Sequence, residues 1–108
     1  MGSIEHSTIM NFKKDVEYAE NSVVSKRILE SRGGNVTLFS FDKDQKLSEH
    51  SAPFDALVQV LEGRVEIKID GKPHVLSEGE SVIMPADIPH ALLALENFKM
   101  LLTMIKEK

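Results

Sequence analysis

The stretch RVEIKIDGKPHVL, residues 64–76, admits few folds. Val65, Ile67 and Ile69 alternate with Arg64, Glu66 and Lys68, the period of two that sets one face of a strand on a core and the other in water. Asp70-Gly71 follows at once. That dipeptide accepts the positive φ angles of a two-residue hairpin turn, so the chain reverses and PHVL pairs back antiparallel. A half-exposed antiparallel hairpin of this kind belongs to an all-β domain.

The same pattern recurs from residue 22 onward. SVVSKRIL and NVTLFSF flank SRGG, where Gly33 and Gly34 supply a reversal. ALVQVL, SVIMP, HALLAL and FKMLLTMI are further short apolar segments, punctuated by Gly79 and Pro85. Eight or nine short strands joined by tight turns predict a β-sandwich or small barrel. ALVQVL is apolar on both faces, which predicts cover by the core on one side and by another element or a subunit on the other. Only NFKKDVEYAE has helical spacing, with Phe12, Val16 and Ala19 on one stripe. It predicts a helix of under three turns, stable only if docked. Residues 1–21 therefore read as an arm with a short helix, and residues 22–108 as one barrel domain.

Composition excludes several function classes. A chain of 108 residues suits a single domain that folds without staples. The lack of cysteine removes disulfides, thiolate ligands and cysteine nucleophiles, and makes a reducing cytoplasm the expected compartment. The formal charge of −4 is spread along the chain, and no basic patch offers itself to nucleic acid. No apolar run reaches the length of a membrane span, and MGSIEHSTIM lacks the basic start and apolar core of a signal peptide. Ser51 adjoins His50, but strand neighbours point to opposite faces and no nucleophile elbow surrounds it.

Two segments carry the chemistry. HSAPFDALVQVLEG, residues 50–63, opens on a histidine and closes on a glycine. In GESVIMPADIPHALLA, residues 79–94, Gly79 is followed after five residues by Pro85, and then by His90 at a tight turn. Pro85 and Pro89 bracket that turn and stiffen it. Together the two segments resemble the motifs of the cupin family, a jelly-roll β-barrel with a metal site in its interior. The family pattern is H-x-H, three or four residues, E, six residues, G, and then G, five residues, P-x-G-x-x-H, three residues, N. His50, Gly63, Gly79, Pro85 and His90 match it, and the resemblance covers roughly residues 34–105.

The departures fall on the metal ligands. Ala52 stands at the second histidine, Ala56 at the glutamate, Asp87 at the glycine of the second motif and Ala94 at its asparagine. Aspartate visits left-handed backbone at modest cost, so the turn before His90 survives. The resemblance implies a site for one divalent transition metal (iron, manganese, nickel, copper or zinc), with His50 and His90 as its remaining ligands. Direct binding of a small polar ligand by the pair, without metal, is the competing expectation. The alanines leave room in the barrel, and Ala52, Ala56, Val58, Val60, Met100 and Met104 are the expected pocket walls, with Met84 adding to an adaptable apolar surface.

Other polar residues weigh less. Alternation from Ala56 turns Val58 and Val60 inward and Gln59 outward, toward a sheet or dimer contact. A β-bulge near Pro53 would reverse that parity and make Gln59 a third, oxygen ligand. Asp55 reads as a residue bonding nearby backbone amides, Glu62 as a solvated turn charge, and His74 and His6 as remote from both motifs. Three functions fit. The first is a small stand-alone barrel that binds a small molecule, through or without a metal on His50 and His90. The second is a metal-dependent dioxygenase, isomerase or decarboxylase. The third is a non-catalytic sensory or assembly module, and the apolar outer face of residues 57–61 predicts a homodimer.

Overall fold

The segments with a two-residue period all become strands. A computed structural model describes residues 5–106, and in it β1 (Val23–Ser31), β2 (Gly34–Phe41), β9 (Phe98–Lys106), β4 (Phe54–Glu62) and β7 (Ser81–Met84) form one sheet in that order. β3 (Lys46–His50), β8 (His90–Ala94), β5 (Arg64–Ile69) and β6 (Lys72–Ser77) form a second. Every pairing is antiparallel. The two sheets face each other as a jelly roll.

Alternation decides what lies between them. Val65 and Ile67 of β5, Val58 and Val60 of β4, and Phe41 and Phe98 of the neighbouring strands belong to one buried cluster. The Phe41 and Phe98 rings meet at 4.9 Å in a tilted arrangement, a geometry favoured by the aromatic quadrupole. Burying each side chain of this size contributes about 1.5–3 kcal/mol of transfer free energy. The Asp70-Gly71 turn has φ of 53° and 79°, and Ile69 pairs with Lys72 across it, as a two-residue hairpin requires. Gly63 closes the first motif with φ of 83°, and a Cβ there would lie 2.0 Å from the Asn97 carbonyl oxygen. Only glycine allows β4 to turn into β5 so close to the start of β9.

The predicted helix over residues 11–20 does not form. Lys14 N and Asp15 N both donate to the Asn11 carbonyl, closing a single turn, and the Asp15 carboxylate accepts the Asn11 N–H. The segment is too short to repay helix nucleation from its own hydrogen bonds. It gains more by lying across the outer face of the five-stranded sheet, where Phe12 and Val16 pack with Ile28, Leu38, Leu61 and Leu101.

A polar clasp holds the arm there. Tyr18 Oη donates to Glu62 Oε2 at 2.5 Å, and the buried Lys99 ammonium lies 3.8 Å from the same oxygen and 5.0 Å from the Tyr18 ring centroid. Lys99 Nζ also donates to the Lys13 carbonyl. Burial and the Glu62 carboxylate push the Tyr18 hydroxyl well above the usual phenol range. Glu62 is thus not the solvated turn charge expected from the sequence, because the arm covers the end of β4 and supplies it with a donor. Replacing Tyr18 by Phe removes that charge-assisted bond and is expected to cost about 1.5–3 kcal/mol. Urea unfolding should show a lower midpoint at unchanged slope, and an unchanged midpoint would deny the clasp a role in stability.

Candidate functional site

The turn between β7 and β8 delivers one histidine and the end of β3 the other. Asp87 adopts φ of 64°, the left-handed conformation that its family counterpart would reach with glycine. Its N–H donates to the Ala52 carbonyl at 2.8 Å, while Ala86 N donates to Asp55 Oδ1 at 2.9 Å. The second motif's loop is therefore tied to the first motif by two hydrogen bonds. Asp55 serves the loop as a backbone-bonding residue and is turned away from any metal role.

These ties set His50 opposite His90 in the β3–β8 ladder. The ring centroids are 4.4 Å apart with planes at 71°, an edge-on contact. His50 Nδ1 lies 2.7 Å from the Ser48 carbonyl and His90 Nδ1 lies 3.2 Å from the Ile88 carbonyl. A carbonyl oxygen only accepts, so each Nδ1 carries the proton in the neutral ring and each Nε2 keeps a lone pair. No buried side-chain nitrogen or oxygen among the described residues lacks a partner. Neither Nε2 makes a hydrogen bond to protein; His90 is buried, whereas His50 is exposed at the end of β3.

Both rings line a cavity of about 50 Å³ between the sheets. His50 and His90 stand on one side of it, and Ala52, Ala56, Met84 and Met104 are among its walls. Met100 lines it as expected, together with Leu102 on the same face of β9. Val58 and Val60 do not. They face inward as alternation requires, but other side chains of the core bury them away from the opening. Gln59 pairs with Ser81 and Leu101 and points to the outer face, because no bulge interrupts β4 between Ala56 and Val60. It does not approach the histidines. His74 stands on β6 with its ring against the Ile67 carbonyl, and His6 is exposed in the arm. Leu47 and Leu92, cross-strand partners further along β3 and β8, also wall the cavity and were not anticipated. Only the strand register, which is non-local, places them.

A family model for the cupin domain matches residues 37–106. The chain belongs to the cupin family. Among solved structures, a conserved protein of unknown function from Streptococcus pyogenes is 38% identical over 97% of this chain and 92% of its own, with a TM-score of 0.91. A cupin 2 conserved barrel domain protein from Leptotrichia buccalis is 44% identical over 90% of this chain, with a TM-score of 0.86. This cupin spans 47% of that longer chain. A cupin superfamily protein from Desulfitobacterium hafniense is 25% identical, covers 99% of this chain and 97% of its own, and has a TM-score of 0.87. No curated protein matches the sequence.

The metal set implied by the family does not fit these residues. Two imidazoles remain, alanines stand at the other two positions, and no group of three or more His, Cys, Asp or Glu gathers among the described residues. A divalent ion in this cavity would have no carboxylate to offset its charge.

His90 is buried, at 6% exposure. Burial lowers its proton affinity below the ordinary histidine value, the neighbouring His50 lowers it further, and the Ile88 carbonyl opposes both. The native state therefore binds fewer protons here than the unfolded chain, whose histidine titrates near pH 6.5. This group's stabilisation is present above about pH 6.5 and is lost as the pH falls toward its depressed folded value. Denaturation midpoints should decline between about pH 7 and pH 5.5 in the wild type, and His90→Gln should flatten that decline. An equal slope in both proteins would contradict the assignment.

Proposed function

We propose that this cupin is a binding barrel whose cavity takes a small ligand, with His50 and His90 as its polar anchors. The observation that carries this is that two imidazoles, each with its Nδ1 held by a backbone carbonyl, line one small and mostly apolar cavity. Such a site, mostly apolar with a few convergent polar groups, is the usual form of a small-ligand pocket. Its size sets the scale of the ligand. At about 10–15 Å³ for each water centre, the cavity holds roughly three to five waters, so it suits a ligand of a few heavy atoms or the end of a larger one. The paired imidazoles present acceptors, which favours a ligand with a donor group or a cationic centre.

Fragment screening by ligand-detected NMR, with hits retested on variants, tests this reading. Hits should compete with one another, lose binding in His90→Ala and keep it in Gln59→Ala. Hits that bind His90→Ala as well as wild type would refute it. With two protein donors, zinc, iron and manganese should remain substoichiometric after purification without chelator, and EDTA should leave the melting temperature unchanged.

We also infer that the chain forms a homodimer through the five-stranded sheet. Leu29, Val36, Thr103, Leu57 and Ile83 form one cross-strand row over all five strands on its outer face. Leu29 and Ile83 are 52% and 59% exposed, and a row of this length, apolar except at Thr103, is what a symmetric partner would cover. Sedimentation at low micromolar protein should give a dimer that Ile83→Glu dissociates. A monomer at every concentration would contradict the inference.

A further inference from the structure

The outer face of the five-stranded sheet is uneven, and its two sides complement each other. Of the large apolar side chains exposed among the described residues, Ile9, Met10, Leu29, Ile83 and Ile105 lie on this face and only Val75 lies elsewhere. The row from Leu29 to Ile83 crosses all five strands. Two residues along the strands to one side lie Leu38 and Leu101, which the arm covers. Two residues to the other side lie Gly34 and Ile105, and there Ile105 is 62% exposed.

The arm is thus a ridge along one side of the row, and at its β1 end it carries a knob. Thr8 and Met10 lie beside Ile28 and Leu29. Ile9 between them is 98% exposed, so its side chain supports nothing in its own chain. At the same end, on the open side of the row, is a shallow hollow of about 290 Å³ lined by Leu29, Gly33, Gly34, Val36 and Ile105. The two glycines contribute no side chain to it, which lets another chain approach the backbone closely.

Symmetric dimers pair a patch with itself, residue i with j and j with i. A two-fold axis between two such faces can run along the strands or along the row. Along the strands, it sets ridge on ridge and holds the two rows apart. Along the row, it exchanges the two sides, so each ridge lies on the open side of the other chain and Ile9 meets the hollow. Area agrees with a partner of equal size. Five strands about 4.8 Å wide and up to nine residues long, at about 3.3 Å each, make a face of at most roughly 700 Å², of the order of the roughly 800 Å² that each side of a standard interface buries. Charge agrees as well. Glu5 in the arm and Arg32 in the β1–β2 turn form no ion pair among the described residues, and this axis brings them together across the interface.

We propose that a second copy of this chain docks on this face about a two-fold axis along the row, and that Ile9 of each arm fills the hollow at Gly33-Gly34 of the other. The proposal rests on the homodimer reading above and gives that dimer its axis and its anchor. The arm then serves a second sheet as well as its own.

The test uses full-length chains. The sequence has no cysteine, so introduced thiols report without background. Differently tagged Ile9→Cys and Ile105→Cys chains are mixed, left to exchange and oxidised. The pair Leu29→Cys with Ile83→Cys reports the other axis, and Val75→Cys on the second sheet is the control. Sedimentation then compares Ile9→Asp with wild type.

The expected result is a mixed covalent dimer from the Ile9 and Ile105 positions, with the other pair and the control at background. Ile9→Asp should weaken self-association by about tenfold or more, the loss typical of an interface anchor, and leave urea unfolding at high dilution unchanged. Dimerisation of Ile9→Asp equal to wild type overturns the proposal. So does a mixed dimer from Leu29 and Ile83, or one from Ile9 and Ile105 no stronger than the control. In each of those cases a dimer that Ile83→Glu dissociates leaves the homodimer reading standing. A wild type that stays monomeric at every concentration removes both.

Discussion

Two hydrogen bonds from the loop before β8 hold the site of this cupin together. Asp87 N to the Ala52 carbonyl and Ala86 N to Asp55 Oδ1 tie the turn before β8 to the start of β4 and the residue two before it. Both connections, β3 to β4 and β7 to β8, cross from one sheet to the other, so the tie joins them where the sheets meet. With the loops fixed, His50 and His90 fall into register, and their Nδ1 atoms find the backbone carbonyls two residues back. The orientation of both rings, and with it the direction of both Nε2 lone pairs, follows from backbone geometry. That is preorganisation of a binding pair by main chain, and it does not depend on a third side chain.

The fold was largely legible because its information is local. Alternation in RVEIKI, the Asp70-Gly71 turn and the stops at Gly79 and Pro85 each constrain only a few neighbouring residues, and all agree with one another. The resemblance of the two motifs then placed His50 and His90 together. Alternation from Ala56 also gave the correct faces for Val58, Gln59 and Val60, since β4 carries no bulge until after Val60.

What escaped the sequence is non-local. The stripe of Phe12 and Val16 is real, and both residues pack on the same apolar patch, but the sheet offers a flat surface on which an irregular arm serves as well as a helix. Tertiary contact overrode a weak local preference. Glu62 gains its partners from residues 18 and 99, which no spacing rule connects. The methionine walls of the cavity have the same origin. Met84, Ala56 and Met104 come from three strands, and only their pairing register makes them neighbours. Val58 and Val60 illustrate the converse, since pointing inward is a property of the strand whereas lining a cavity depends on what the opposite sheet leaves unfilled.

Loss of the family's second histidine and its acid thus changes the character of the cavity while the scaffold that aims the remaining imidazoles stays in place. Alanine at both positions trades charge and coordination for space, and the methionines on either side make that space soft and apolar. The central claim is that backbone carbonyls fix both histidines as Nδ1–H tautomers with Nε2 free of protein partners. Nitrogen-15 shifts of the two rings at neutral pH test it most directly. Protonated Nδ1 and unprotonated Nε2 in both His50 and His90 are the predicted result, and an Nε2–H tautomer in either ring would contradict it.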